Sequence, residues 1–194
     1  MGTRHSDRVA VLVYLDAGYP YAFEDSKGPT FKEFQDIQGP QPPPPGESDL
    51  ASYSALQKHF ERVNGFQFPE SELRQIWDST PDGRVGKQRN FPGSATLLMG
   101  MKKYTHIPVP ALVIFAIPHD QGTWVNNCTD PAVREAANAY SAALDALTER
   151  QAKEFETGVL TARVVRLRGA HHYVFLSNEA DVLREMRAFL TSLQ

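Results

Sequence analysis

A chain of 194 residues, 41% hydrophobic and 22% charged, is long enough for one globular domain with a real core, and a net charge of −3 without a basic cluster argues against nucleic acid or a membrane surface as partner. The single cysteine, Cys128, excludes an internal disulfide framework and a cysteine-based zinc site. The apolar runs are too short to span a bilayer and the opening MGTRHSDR lacks a secretory pattern, so a cytoplasmic location is the default expectation.

RVAVLVYLDA, residues 8–17, is a continuous aliphatic and β-branched run that ends at the carboxylate of Asp16. Unbroken apolar character, without polar alternation, predicts a strand covered on both faces of a parallel sheet. From residue 19 to about 107 the character changes. GPQPPPPG at 39–46 is a stiff polyproline-type spacer, and short helices are predicted at 50–63, 70–77 and 95–103. PDGRVG at 81–86 is a turn-rich break between them, and nothing in this excursion reads as a strand.

VPALVIFAI at 109–117 repeats the character of the first strand and runs into the loop PHDQG. A long helix is predicted next. Asp130 and Pro131 suit its N-cap and first helical position, Gly158 suits its end, and Val133, Ala136, Tyr140, Ala143, Leu144 and Leu147 fall on one stripe. ARVVRL at 162–167 is a third, weaker strand, followed by RGAHHYVFLSN at 168–178. A last helix opens at Ser177-Asn178, with Val182, Leu183, Met186, Phe189, Leu190 and Leu193 at helical spacing. Strand, helix, strand, helix reads as a βαβ unit with a packed terminal helix. Loops beyond the strands' carboxyl ends are where open α/β sheets place ligands.

These landmarks together resemble the carboxyl-terminal portion of an α/β-hydrolase: RHSDRVAVLVYLDAGYPYAF, a helical insertion, IPVPALVIFAIPHD, then ARVVRLRGAHHYVFLSNEADVLREMRAFL. The resemblance implies a partial α/β-hydrolase fold, with 1–18 and 108–194 as its core, three parallel strands and flanking helices. Residues 19–107 are then a mostly helical cap with the Pro-rich linker at 39–46. It also implies a Ser-His-Asp type of ester or related acyl hydrolysis, with no cofactor and no metal.

In Ala170-His171-His172-Tyr173, the histidine at the family's position is His172, a general base through Nε2, with Nδ1–H given to a carboxylate. His171 falls at the variable position and is expected to be a surface loop residue. Asp120 in PHDQG is the preferred acid, and Asp16 the alternative, because some members take their acid from the end of that earlier strand. Tyr19, Tyr21 and Phe23, with Phe66, Phe68 and Trp77, would line a pocket for a small apolar or ester substrate, although ordinary packing explains the same aromatics.

The nucleophile is missing from this pattern. None of the serines has glycine two residues before and two after it; Ser94 in FPGSATL suits a helix N-cap, and Cys128 follows no strand. The resemblance places the elbow serine ahead of this segment. The chain is therefore expected to be a portion lacking it, inactive alone, with a bare strand edge that invites self-association. A non-catalytic small-ligand or interaction module of the same fold is the competing expectation. A metal enzyme using His119, Asp120, His171 and His172 has no ligand spacing in its favour.

Overall fold

The computed structural model describes residues 5–17, 30–89 and 107–193. Its centre is a three-stranded parallel sheet in the order β1 (Leu12–Leu15), β4 (Ala111–Ala116), β5 (Ala162–Leu167). Leu12 pairs with Ala111 and Ala111 with Ala162, so the three strands run in step. Helices cover both faces, giving an α/β layout with the parallel sheet as its middle layer. β1 and β4 are shorter than their apolar runs, because the flanking residues leave the ladder while still packing on the core.

The central strand explains the continuous apolar reading. All six side chains of β4 are fully enclosed, with Ala111, Val113 and Phe115 on one face and Leu112, Ile114 and Ala116 on the other. The first face packs on Ala152, Phe155 and Val159 at the end of helix α5 (Pro131–Gly158). The second packs on Val174, Val182 and Phe189 from helices α6 (Val174–Ser177) and α7 (Glu179–Thr191). A polar residue anywhere in β4 would meet hydrocarbon on whichever side it pointed.

Asp130 caps α5 by accepting from Ala132 N–H at 2.9 Å, with Pro131 at its first position as predicted. Its buried face differs from the predicted stripe. Ala137, Ser141, Thr148, Gln151, Ala152 and Phe155 point inward, whereas Ala136 and Ala143 are exposed. The apolar stripe misleads because three of the six inward residues are polar, and they lie where the helix crosses a polar site.

The excursion packs against the sheet's carboxyl edge. It contains α1 (Phe31–Asp36), a 3-10 turn (Asp49–Ala51), α2 (Tyr53–Asn64) and α3 (Glu70–Ile76). Contrary to the strand-free expectation, it also holds an antiparallel hairpin, β2 (Trp77–Ser79) and β3 (Val85–Gln88). PDGRVG is the turn of that hairpin: Gly83 has φ of 83°, and Thr80 N–H donates to Arg84 O at 2.9 Å. Strands this short, with one bulge, carry too little alternation to be read from sequence. Tyr53, Leu56, Phe68, Leu73 and Val85 form their own core, joined to the sheet through Tyr173 and Leu176. The expected helix at 95–103 lies outside the described residues.

The loops after β4 and β5 are zipped together beyond the strands. Gly169 N–H donates to Pro118 O at 2.9 Å and Asp120 N–H to Ala170 O at 2.8 Å, so His119 and Ala170 extend the parallel ladder. That extension holds the histidines of both loops over the end of β1. The Pro-rich spacer lies against α5 through Gly39, where a Cβ would stand 2.4 Å from the Tyr140 ring. Only glycine fits that approach.

Candidate active site

Asp16 ends β1 with φ of 45°, a left-handed conformation that aspartate tolerates better than most residues. The turn points its carboxylate inward. Oδ1 accepts from Ala116 N–H at 2.9 Å, and Oδ2 lies 2.8 Å from His172 Nδ1 and 3.4 Å from His119 Nε2. Burial alone would raise this carboxyl's pKa, but hydrogen bonds from His119, His172 and Ala116 N–H outweigh it and bring it down to about 2. The group is a fixed anion.

His172 reaches Asp16 from the loop after β5. A carboxylate can only accept, so Nδ1 carries a proton, and in the neutral ring the lone pair is on Nε2. The side chain is 63% exposed, and no described residue bonds to Nε2. An imidazole oriented by a buried carboxylate, with its other nitrogen free, is arranged to take a proton from a hydroxyl or water.

His119 occupies the other side of Asp16. Its backbone N–H donates to Asp145 Oδ1 at 3.0 Å, and Nδ1 lies 2.7 Å from the same oxygen. Burial works against a charged ring here. The hydrogen bonds to Asp16 and Asp145 overcome that, and its pKa is raised above 6.5. Asp16 is thereby shared between an enclosed histidine and an open one.

The structure joins His172 to Asp16 and not to Asp120. Asp120 turns back on its own loop, Oδ1 accepting from Gly122 N–H at 3.0 Å. Such a turn is a local role for a short carboxylate. Gly122, the N-cap of the short helix α4 (Thr123–Asn126), in turn allows this loop to lie against α2, since a Cβ there would be 2.7 Å from Val63 O. His171 is not a surface residue either. Its ring stacks on Tyr173 with centroids 5.6 Å apart and meets Phe66 edge-on at 5.0 Å. Burial, reinforced by the neighbouring His172, pushes its pKa down to about 4.

Two cavities flank the His119–His172 pair, of about 230 and 340 Å³. His119, His172, Tyr140 and Leu144 line both; Trp124 and the prolines of the spacer border the first, and Phe34, Phe115 and Gln151 the second. Trp77 lines neither. It packs with the hairpin core, its carbonyl accepting from Tyr53 Oη at 3.0 Å. Phe66 and Phe68 belong to the same aromatic cluster, and Tyr19, Tyr21 and Phe23 lie outside the described residues.

No protein-family model matches the chain, and no curated protein matches it. A solved structure, a marine microorganism esterase, is similar to 96% of this chain, with a TM-score of 0.41 and 14% identity. The chain spans 62% of that esterase's length.

Sequence reasoning missed Asp145 and Gln151. Both sit on α5, and the one available signal was that polar residues interrupt its inner face at regular helical steps. It also left His119 without a carboxylate partner. Among the described residues, no group of three or more His, Cys, Asp or Glu side chains is placed to hold a metal ion, and no helix is long and apolar enough to cross a membrane.

Proposed function

We propose that this chain carries the acid–base half of an α/β-hydrolase-type Ser-His-Asp centre acting on an ester or related acyl compound. His172 is the general base and Asp16 the orienting acid, and residues 19–107 form the cap over them. The observation that carries the reading is the 2.8 Å contact between His172 Nδ1 and a buried, backbone-anchored carboxylate, with the opposite ring nitrogen left open.

In this chemistry His172 Nε2 removes the proton from a serine hydroxyl as its oxygen bonds to the acyl carbon. Asp16 stabilises the resulting imidazolium through Nδ1–H, and Nε2–H then protonates the departing alkoxide. Water repeats the sequence and releases the acid. The 194 residues contain no G-x-S-x-G, so the serine is not among them and the chain alone does not turn over esters.

Reading the coding sequence upstream of Met1 tests this directly: an in-frame G-x-S-x-G is expected. A protein that includes it hydrolyses p-nitrophenyl esters and reacts with a fluorophosphonate, whereas these 194 residues do neither. Fluorophosphonate labelling of the 194-residue chain would contradict the proposal. So would unchanged turnover in His172→Ala of the serine-bearing protein.

A further inference from the structure

The second cavity, of about 340 Å³, runs from Asp16 and His172 along the inner face of α5. Phe34, Phe115 and Leu144 make its walls apolar, and neither lysine nor arginine lines it. Gln151, only 1% exposed, lines it too, and its Nε2 has no hydrogen-bond partner among the described residues. The nearby Thr148 hydroxyl donates to Leu144 O at 2.9 Å and does not pair with the Gln151 amide. A buried amide N–H without an acceptor is costly, so something is gained by any occupant that supplies one.

The lining limits what that occupant is. A terminal carboxylate would meet the fixed anion of Asp16, with His119 already facing two carboxylates, and a plain alkyl chain would leave the amide unpaired. Rotation about the broad terminal torsion of glutamine is enough to aim an N–H at a ligand oxygen.

Resting on the hydrolase reading, we infer that this cavity is the acyl-chain subsite and Gln151 its specificity residue. It takes an acyl group whose chain carries a neutral acceptor, a keto or ether oxygen, for the Gln151 amide. The apolar walls hold the chain and Gln151 reads the oxygen.

The 194-residue chain can be titrated with methyl 6-oxoheptanoate and with methyl heptanoate, because binding is read without turnover. The oxo ester is expected to bind about tenfold more tightly and to shift the Gln151 side-chain amide resonances. In Gln151→Met the two esters should bind equally. Equal affinity of the two esters for the unmodified chain, or binding of neither, overturns the inference whatever the variant does. The preference should persist in His172→Ala, which separates the two readings. A preserved preference, with turnover of the serine-bearing protein unaffected by His172→Ala, keeps this subsite and removes the catalytic role.

Discussion

The loops after β4 and β5 each deliver one histidine to the same carboxylate, yet the two rings are fitted for opposite tasks. His119 is 9% exposed and has a carboxylate oxygen opposite each ring nitrogen, Asp145 at 2.7 Å and Asp16 at 3.4 Å. Carboxylates opposite both ring nitrogens favour the protonated ring, and its pKa is raised accordingly. His172 is 63% exposed and has one carboxylate, at 2.8 Å. Its Nδ1 faces that carboxylate, and no described residue bonds to its Nε2. Burial and the number of anionic neighbours set one of them as a strut between carboxylates and leave the other open for the proposed role of base.

The largest effect comes from removing the carboxylate they share. In Asp16→Asn the backbone φ of 45° is still accessible, because asparagine tolerates the left-handed region, and an oxygen still faces Ala116 N–H. The amide NH2 then faces His172 Nδ1, which must give up its proton and accept, moving the tautomer to Nε2–H. Ester turnover by the serine-bearing protein should fall about 10⁴-fold. In the 194-residue chain the hydrogen-bonded Nδ1–H proton signal of His172 should vanish from the NMR spectrum. Turnover within tenfold of the unmodified protein would place the acid elsewhere.

The next effect divides the two histidines by stability. His119→Leu removes the ring between two carboxylates, leaving Asp16 only His172 and Ala116 N–H and leaving Asp145 only the backbone N–H of residue 119, a loss of about 3 kcal/mol in urea unfolding. His172→Ala, on the open loop, should cost under about 1 kcal/mol. Equal urea midpoints for the two variants would erase the distinction between strut and base.

The distinction was only half visible in the amino-acid sequence. The three strands were legible because β4 is covered on both faces, and continuous aliphatic runs are the direct consequence. His172 was legible as a candidate because a strand, a short loop and a helix bracket it. Its carboxylate neighbour was harder to read. Asp16 and Asp120 both follow strands, and the choice depends on a left-handed turn at Asp16 and on Asp120 folding back onto Gly122, neither of which leaves a local mark. Asp145 and Gln151 were hidden for another reason. A helix face over a polar site loses the apolar stripe used to find its inner side, so the inferred face came out rotated by about one residue, or ~100°.

The smallest effect concerns His171 and the shape of stability against pH. His119 has its pKa raised, so its stabilisation is complete below pH 6.5 and is lost as pH rises through its higher folded value. His171 has its pKa lowered to about 4, chiefly by burial, so between pH 6.5 and 4 the unfolded chain takes up a proton that the folded chain refuses. Stability therefore falls on that side also. Asp16, lowered from 3.8 to about 2, contributes fully above pH 3.8 and weakens only as pH drops toward 2. The thermal midpoint should peak near pH 6.5, where both histidine contributions are most favourable. His171→Phe keeps an aromatic ring against Tyr173 and Phe66 and removes the titrating nitrogen. It should flatten the acid side, raising the midpoint at pH 5 by roughly 3 °C relative to the unmodified chain while leaving the alkaline fall in place. A parallel downward shift at every pH would instead mean that the ring nitrogen's contact with Tyr173 N–H, at 3.3 Å, outweighs the burial of the imidazole.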